Sequence, residues 1–192
     1  MTERAIALDD LLETIGEDFT SKILSDFLCP LNADVESFLK SKAIDFNRKA
    51  VAKTYLVFGQ DDSLLGYFTL SNRAVAGKIE TLSKRMQERV DRFALRYLPS
   101  DTQILPMILI AQLGKNFTAQ SEFSGKRLIE IALEKVKEAQ RLIGGKTIYL
   151  ECEDMPKLRA FYEGCGFFYI GQRPTEESES GTGLLQYIKW VP

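Results

Sequence analysis

A chain of 192 residues, 45% of them apolar, is long enough for one well-formed core and too short for two independent ones, so a single domain over 1–192 is expected. A net charge of −2 and a pI of about 5.4 give no global attraction to nucleic acid or to an anionic membrane. No apolar run approaches the roughly 20 residues that span a bilayer, and Met1-Thr2-Glu3-Arg4 lacks the basic-then-apolar pattern of a signal peptide, so a cytoplasmic protein is expected.

Leu8, Leu11, Leu12 and Ile15 recur at helical spacing behind Asp9 and Asp10, which predicts a short helix over Leu8–Ile15. Pro30 marks a bend. Asn32 then reads as the N-cap of a longer helix reaching Ala52, with Val35, Phe38, Leu39, Ala43 and Phe46 on one face. Thr54–Phe58 and Leu64–Leu70, rich in β-branched, aromatic and aliphatic residues around Gly59-Gln60-Asp61-Asp62-Ser63, predict a β-hairpin.

Ile79, Leu82, Met86, Val90, Phe93 and Tyr97 recur at helical intervals in a highly charged segment, so a helix is expected between Ile79 and Leu98, ended by Pro99-Ser100-Asp101. The apolar run from Ile104 to about Leu113 has the character of a buried strand, with Pro106 at its start. Gly125-Lys126-Arg127 opens an amphipathic helix built on Leu128, Ile131, Ala132, Leu133 and Val136, which stops at Gly144-Gly145. Lys146–Glu151 follows as a strand. A helix between two strands at this spacing implies a parallel crossover. A short helix over Met155–Gly164, a solvated loop over Arg173–Thr182, and closing strands over Phe167–Ile170 and Gly183–Trp190 complete the chain.

The chemistry open to the chain is bounded by its lack of histidine and by three cysteines with no Cys-x-x-Cys spacing. No metal site is expected. Acid–base work falls to Tyr, Glu, Asp, Cys, Lys or water. The start of the helix at Gly125 presents unpaired N–H groups suited to phosphate. Lys126 and Arg127 have a plainer reading as solvated first-turn residues, although cations at a helix N-terminus are locally unfavourable without an anion.

Two segments in order, Ser124-Gly125-Lys126-Arg127-Leu128-Ile129 and Phe161-Tyr162-Glu163-Gly164-Cys165-Gly166-Phe167, resemble the pyrophosphate loop and the closing Phe-Tyr-Glu-x-x-Gly-Phe motif of the GNAT superfamily of acyl-CoA-dependent N-acyltransferases. Arg127 and Ile129 stand where family members have small residues, and Met155 where many have Asn. The helix–helix–hairpin order with Gly66-Tyr67-Phe68 looks like the family's N-terminal half. Asp34–Leu70 is similar to the acetyltransferase toxins of toxin–antitoxin pairs.

The resemblance implies an α/β (α+β) GNAT fold: a mixed central sheet splayed between two parallel strands and flanked by helices, here with an extra helical insert. It implies acetyl-CoA as cosubstrate, with pantetheine contacts at Leu113, Gly114 and Lys115 and pyrophosphate contacts at the N–H groups of Ser124, Gly125, Lys126, Arg127 and Leu128. Tyr162 matches the family's general acid, which protonates the leaving thiolate; its alternative is a core aromatic beside Phe161 and Phe167. For the base, Glu151, Glu153, Glu122 and a water relay stay open. Cys165 is expected to be a small buried side chain.

The activity implied is direct transfer of acetyl to a primary amine, of a small molecule or a peptide. The toxin-type alternative takes aminoacyl-tRNA as acceptor, with tRNA the exception to an expected lack of nucleic-acid binding and an antitoxin as partner. A catalytically impaired acyl-CoA-binding or regulatory module is the other class, and a homodimer is left open.

Overall fold

The computed structural model describes residues 3–76, 83–97, 102–119, 122–173 and 183–191. Its strands lie in the order β1 (Arg4–Ala7), β2 (Lys53–Phe58), β3 (Leu64–Ala76), β5 (Thr102–Lys115), β6 (Thr147–Glu153), β8 (Leu184–Trp190) and β7 (Phe168–Arg173), with β4 (Leu95–Tyr97) pairing β5 off this path. The chain divides into two compact units, Met1–Ser71 with Ile110–Lys135 and Asn72–Leu109 with Val136–Pro192. No helix among the described residues is long and apolar enough to cross a membrane.

The first unit opens with β1 (Arg4–Ala7), too short for any sequence signal, paired antiparallel with β2 (Lys53–Phe58). Helix α1 (Leu8–Ser25) runs well past the expected Ile15. Gly16 adopts φ 79° and ψ 167° inside it, a conformation that breaks the helical repeat and suits a residue without Cβ, so the apolar period read from Leu8 ends there. Asn32 caps α2 (Ala33–Ser41), its Oδ1 accepting the Val35 N–H at 3.0 Å. The single helix expected to Ala52 is instead two, because Lys42 leaves helical geometry at φ −120° before α3 (Ala43–Arg48). The turn lets Phe38 and Phe46 meet edge to face, centroids 5.4 Å apart.

The predicted hairpin forms. β2 pairs antiparallel with β3 (Leu64–Ala76), and the turn closes with the Gly59 N–H donating to Ser63 O at 2.9 Å. Leu8, Leu24, Phe27, Leu39, Ala43, Leu56 and Tyr67 make this unit's core, with Val35 and Phe38 partly buried against it. The unit also holds the end of β5 (Thr102–Lys115) and the first turns of α5 (Gly125–Ile143).

In the second unit the charged segment yields a shorter helix than its spacing predicts: α4 (Lys84–Asp91), with the Ser83 hydroxyl accepting the Met86 N–H. Leu95–Tyr97 forms strand β4, antiparallel to Thr102–Ile104 of β5. Leaving the helix gives this stretch a ladder along β5 and sets the Phe93 ring 5.1 Å from the Trp190 ring. Ile79, Leu82, Leu98 and Pro99-Ser100-Asp101 lie outside the described residues, as does the expected loop beyond Arg173 up to Thr182.

The crossover is parallel as expected, β5 pairing with β6 (Thr147–Glu153) through Ile108↔Ile148 and Leu109↔Tyr149. β6 then pairs antiparallel with β8 (Leu184–Trp190), and β8 with β7 (Phe168–Arg173) across a bulge between Tyr169 and Gly171. Helix α6 (Pro156–Gly164) begins with Pro156 in its first turn, where a missing N–H costs nothing. Val90, Leu105, Met107, Tyr149, Ile170 and Ile188 cluster as this unit's core.

Candidate functional site

In the first unit, the end of β5 is held by packing. Gly114 is buried, and a Cβ there would lie 2.6 Å from Val35 Cγ1, 2.9 Å from Tyr67 Cε1 and 3.0 Å from Phe27 Cζ, so only glycine fits. Leu113 and Lys115, its neighbours in the expected pantetheine strand, are half-buried. Directly after them the buried Asn116 joins three stretches of chain: Oδ1 accepts the N–H groups of Leu28 at 3.0 Å and Thr118 at 3.2 Å, while Nδ2 donates to Leu64 O at 2.9 Å. Sequence reasoning passed over Asn116, since its partners lie 88 and 52 residues away.

The start of α5 sorts its own donors. Ser124 caps the helix, Oγ accepting the Arg127 N–H at 3.1 Å and its carbonyl accepting the Leu128 N–H at 3.0 Å. Of the five expected pyrophosphate donors, the N–H groups of Ser124, Gly125 and Lys126 are the ones without an acceptor in the helix. The Lys126 side chain is exposed, and no ion pair engages it among the described residues.

Arg127 is committed differently. Its Nε and Nη2 donate to Glu3 Oε2, both at 3.2 Å, and Nη1 lies 3.5 Å from Glu130 and 3.7 Å from Glu134. The Glu3 carboxyl sits below its ordinary value, first through a hydrogen bond to its own backbone and then, against opposing burial, through Arg127. The hydrogen bond to Glu3 raises Arg127 in turn. Glu3 was not among the residues singled out in the sequence, where nothing marks its link to a residue 124 positions away.

In the second unit Tyr162 lies on α6, 9% exposed, with the rings of Phe161, Phe167 and Tyr187 at 5.1, 6.0 and 6.1 Å. Burial pushes its phenol well above the ordinary value, so the hydroxyl keeps its proton at neutral pH. The other tyrosines buried among the described residues donate to the protein: Tyr67 to Val35 O at 2.6 Å, Tyr149 to Glu151 Oε1, and Tyr187 to Glu163 Oε1 at 3.3 Å. The Tyr162 hydroxyl has no such partner among the described residues. The ring is buried, but its oxygen is not one of the buried side-chain atoms that lack a hydrogen bond among the described residues, so the hydroxyl reaches solvent and is open to water or a ligand.

The rest of the motif is structural. Gly166 at φ 78° ends α6, and Lys189 Nζ donates to Cys165 O at 2.7 Å, placing a cation at the helix C-terminus. Tyr187, pushed up to about 12 chiefly by burial, is held by Glu163. Cys165 is half-buried, and burial pushes the Cys152 thiol up to about 11, far from thiolate. Met155 occupies the N-cap of α6, 43% exposed, and offers no side-chain cap bond.

Among the base candidates, Glu122 is exposed and Glu153 half-buried. Glu151 is built into a network: Arg173 donates from Nε to Oε1 and from Nη2 to Oε2, both at 2.7 Å, Tyr149 donates to Oε1, and Gln186 Nε2 donates to the Tyr149 hydroxyl at 2.7 Å. Burial works to raise Glu151, but the hydrogen bonds from Arg173 and Tyr149 outweigh it and hold the carboxyl below its ordinary value. Such a carboxylate has little affinity for a proton and does not suit a general base.

No protein-family model and no curated protein sequence matches the chain. Solved structures do. AtaT complexed with acetyl-methionyl-tRNAfMet aligns over 96% of this chain and 94% of its own at 19% identity and TM-score 0.65. A tyrosine-to-phenylalanine mutant of KacT aligns over 98% and 95% at 21% identity and TM-score 0.66. A structure described as a bacterial toxin aligns over 99% and 91% at 16% identity and TM-score 0.67. At these identities the likeness establishes the fold, the α/β GNAT fold that the two sequence motifs imply.

Proposed function

We propose that this chain is an N-acetyltransferase that moves an acetyl group from acetyl-CoA to a primary amine by direct attack. The observation that carries the reading is the Tyr162 phenol, its ring buried and its hydroxyl protonated and without a partner among the described residues. The α5 amides of Gly125 and Lys126 and the exposed Lys126 side chain fit a pyrophosphate, because helix dipole and unpaired donors both favour an anion. Leu113, Gly114 and Lys115 take the pantetheine along their strand backbone in this reading, and the packing on Gly114 keeps that backbone fixed.

In the reaction, the amine nitrogen bonds to the thioester carbonyl carbon and the carbon–sulfur bond breaks, its electron pair staying on sulfur. Tyr162 donates its proton to that sulfur or stabilises its charge. The amine's proton leaves to water, since Arg173 and Tyr149 occupy the Glu151 oxygens and lower their affinity for a proton. No covalent enzyme intermediate forms.

The acceptor we propose is the amine of an aminoacyl-tRNA, and the partner a cognate antitoxin. Support comes from the structural neighbours: AtaT has been solved with acetyl-methionyl-tRNAfMet, and an AtaT mutant with acetyl-CoA and the C-terminus of the antitoxin AtaR. The test is calorimetry with acetyl-CoA followed by thiol release over a panel of small amines, peptides and aminoacyl-tRNAs. Release with an aminoacyl-tRNA alone is expected. Release with small amines or peptides alone would overturn the acceptor, and tight binding with no release on any acceptor would favour the regulatory module, for which the engagement of Arg127 by Glu3 speaks.

A further inference from the structure

Arg4, Arg48, Arg73, Arg127, Arg159 and Arg173 each reach a carboxylate. Arg85, Arg89 and Arg92, on α4 and at its C-cap, have none among the described residues, and all three are exposed. Arg92 Nε donates to a helix carbonyl, Glu88 O at 3.2 Å, which leaves its charge unpaired. Spaced i, i+4 and i+7, the three share one side of α4 and span about 10 Å of it. Val90, 3% exposed, anchors the helix from another side in the core with Leu105 and Ile188.

Aromatic rings adjoin the stripe. The Arg89 guanidinium lies 5.3 Å from the centre of the Trp190 ring, and Phe93 meets the same ring at 5.1 Å and 61°. Phe93 is 45% exposed and Leu95 beyond it 62%. A cation–π pair accounts for Arg89 alone; it gives no role to Arg85, to Arg92 or to a phenyl ring left open to water. The neighbouring sequence does not cancel the charge, since residues 77–101 carry six basic and four acidic side chains. Glu176, Glu177 and Glu179 belong to the connection that meets the sheet at the Arg173↔Leu184 pair, and Trp190 lies six residues farther along β8, about 20 Å away.

A row of guanidiniums with an open ring beside it matches a single strand of RNA, whose phosphates repeat along the backbone and whose unpaired bases stack on aromatic faces. We propose that Arg85, Arg89 and Arg92 bind neighbouring backbone phosphates of an RNA strand while Phe93, braced by Trp190, stacks a base, and that this surface holds the RNA part of the acceptor. The second clause rests on the aminoacyl-tRNA reading of the acceptor; the first does not.

Trp190 is the chain's only tryptophan, so its emission reports on this surface directly. The full chain in excess acetyl-CoA, whose phosphates then cover the α5 amides, is titrated with a single-stranded RNA of about ten nucleotides. The parent is expected to show saturable quenching. Arg85→Ala and Arg92→Ala should each lower the slope of log affinity against log salt by about 0.7, with melting temperature and acetyl-CoA affinity unchanged. Arg85→Lys should keep the parental slope. Phe93→Ala should weaken the RNA about tenfold and leave the slope unaltered. No saturable quenching in the parent, or parental slopes in both alanine variants, would overturn the surface. Equal affinity for a polyglutamate peptide of matching length, which has the charge and no bases, would overturn the RNA assignment. Acetylation of aminoacyl-tRNA tests the acceptor apart from the surface. RNA held through α4 with no acetylated product would keep the surface and remove the tRNA acceptor, whereas acetylation at the parental KM in the double variant Arg85→Ala/Arg92→Ala would keep the acceptor and overturn the surface's part in holding it.

Discussion

Tyr67 in the first unit and Tyr162 in the second are the same side chain under similar burial, and they have opposite fates. Tyr67 meets the Phe27 ring edge to face at 5.1 Å and donates to Val35 O, so its hydroxyl is fully used in joining β3 to α2. Tyr162 has three aromatic neighbours and a hydroxyl with no protein acceptor among the described residues. The arginines divide the same way: Arg127 is surrounded by Glu3, Glu130 and Glu134, whereas Arg85 and Arg92 have no carboxylate partner among the described residues. The difference teaches that a residue's capacity for chemistry depends on what its polar atoms have left to bond.

The sharpest way to break the comparison is to remove both hydroxyls in turn. Tyr162→Phe is expected to lower turnover by about 10²–10⁴-fold with acetyl-CoA affinity and melting temperature unchanged. Tyr67→Phe should leave turnover unaltered and cost about 1–2 kcal/mol of stability, because Val35 O loses its donor in a part-buried site. Denaturant melts beside steady-state kinetics read both, and equal turnover losses would erase the distinction.

Next in size, Glu151→Gln should cost about 3 kcal/mol, since it leaves Arg173 half-buried without its carboxylate. The folded carboxyl lies below its unfolded value, so its contribution is present above the ordinary carboxylate range and is lost as pH falls through the folded value. Acid melts of the variant should therefore be flatter than the parent's below about pH 4; parallel curves would contradict the assignment.

Gly114→Ala should cost about 1–3 kcal/mol through its contacts with Val35, Tyr67 and Phe27, and should weaken acetyl-CoA by moving the strand backbone. An alanine variant with parental stability and affinity would remove the packing argument. The smallest effect is expected from Glu3→Gln. This half-buried pair, with Arg127 38% exposed and shared with Glu130 and Glu134, stabilises by about 1 kcal/mol, and freeing Arg127 beside the α5 amides should tighten acetyl-CoA a few-fold at low salt, an effect that calorimetry in high salt should abolish.

Much of the fold could be read because local signals and tertiary structure agree: the Asn32 cap, the hairpin around Gly59–Ser63, the α5 period with its Gly144-Gly145 stop, and the parallel crossover. Readings failed where a distant partner overrode a local period. Phe93 and Tyr97 continue a helical spacing, yet a ladder with β5 and the Trp190 ring draw that stretch into a strand. For the candidate site, residue types and motif order pointed to Tyr162 and to the α5 amides. The sequence has no marker for which donors Ser124 consumes, nor for Glu3 reaching Arg127, nor for Arg173 reaching Glu151 from 22 residues away.

The central claim is acetyl transfer to an amine, and the most direct measurement follows both products of one reaction. Acetyl-CoA, the full chain and an aminoacyl-tRNA are quenched over time, and CoA thiol and acetylated amine are counted together by mass spectrometry. The account predicts one acetylated amine for each thiol released, with both rates falling together in Tyr162→Phe. Thiol release without an acetylated amine, or acetyl-CoA bound tightly with neither product formed on any amine supplied, would contradict it.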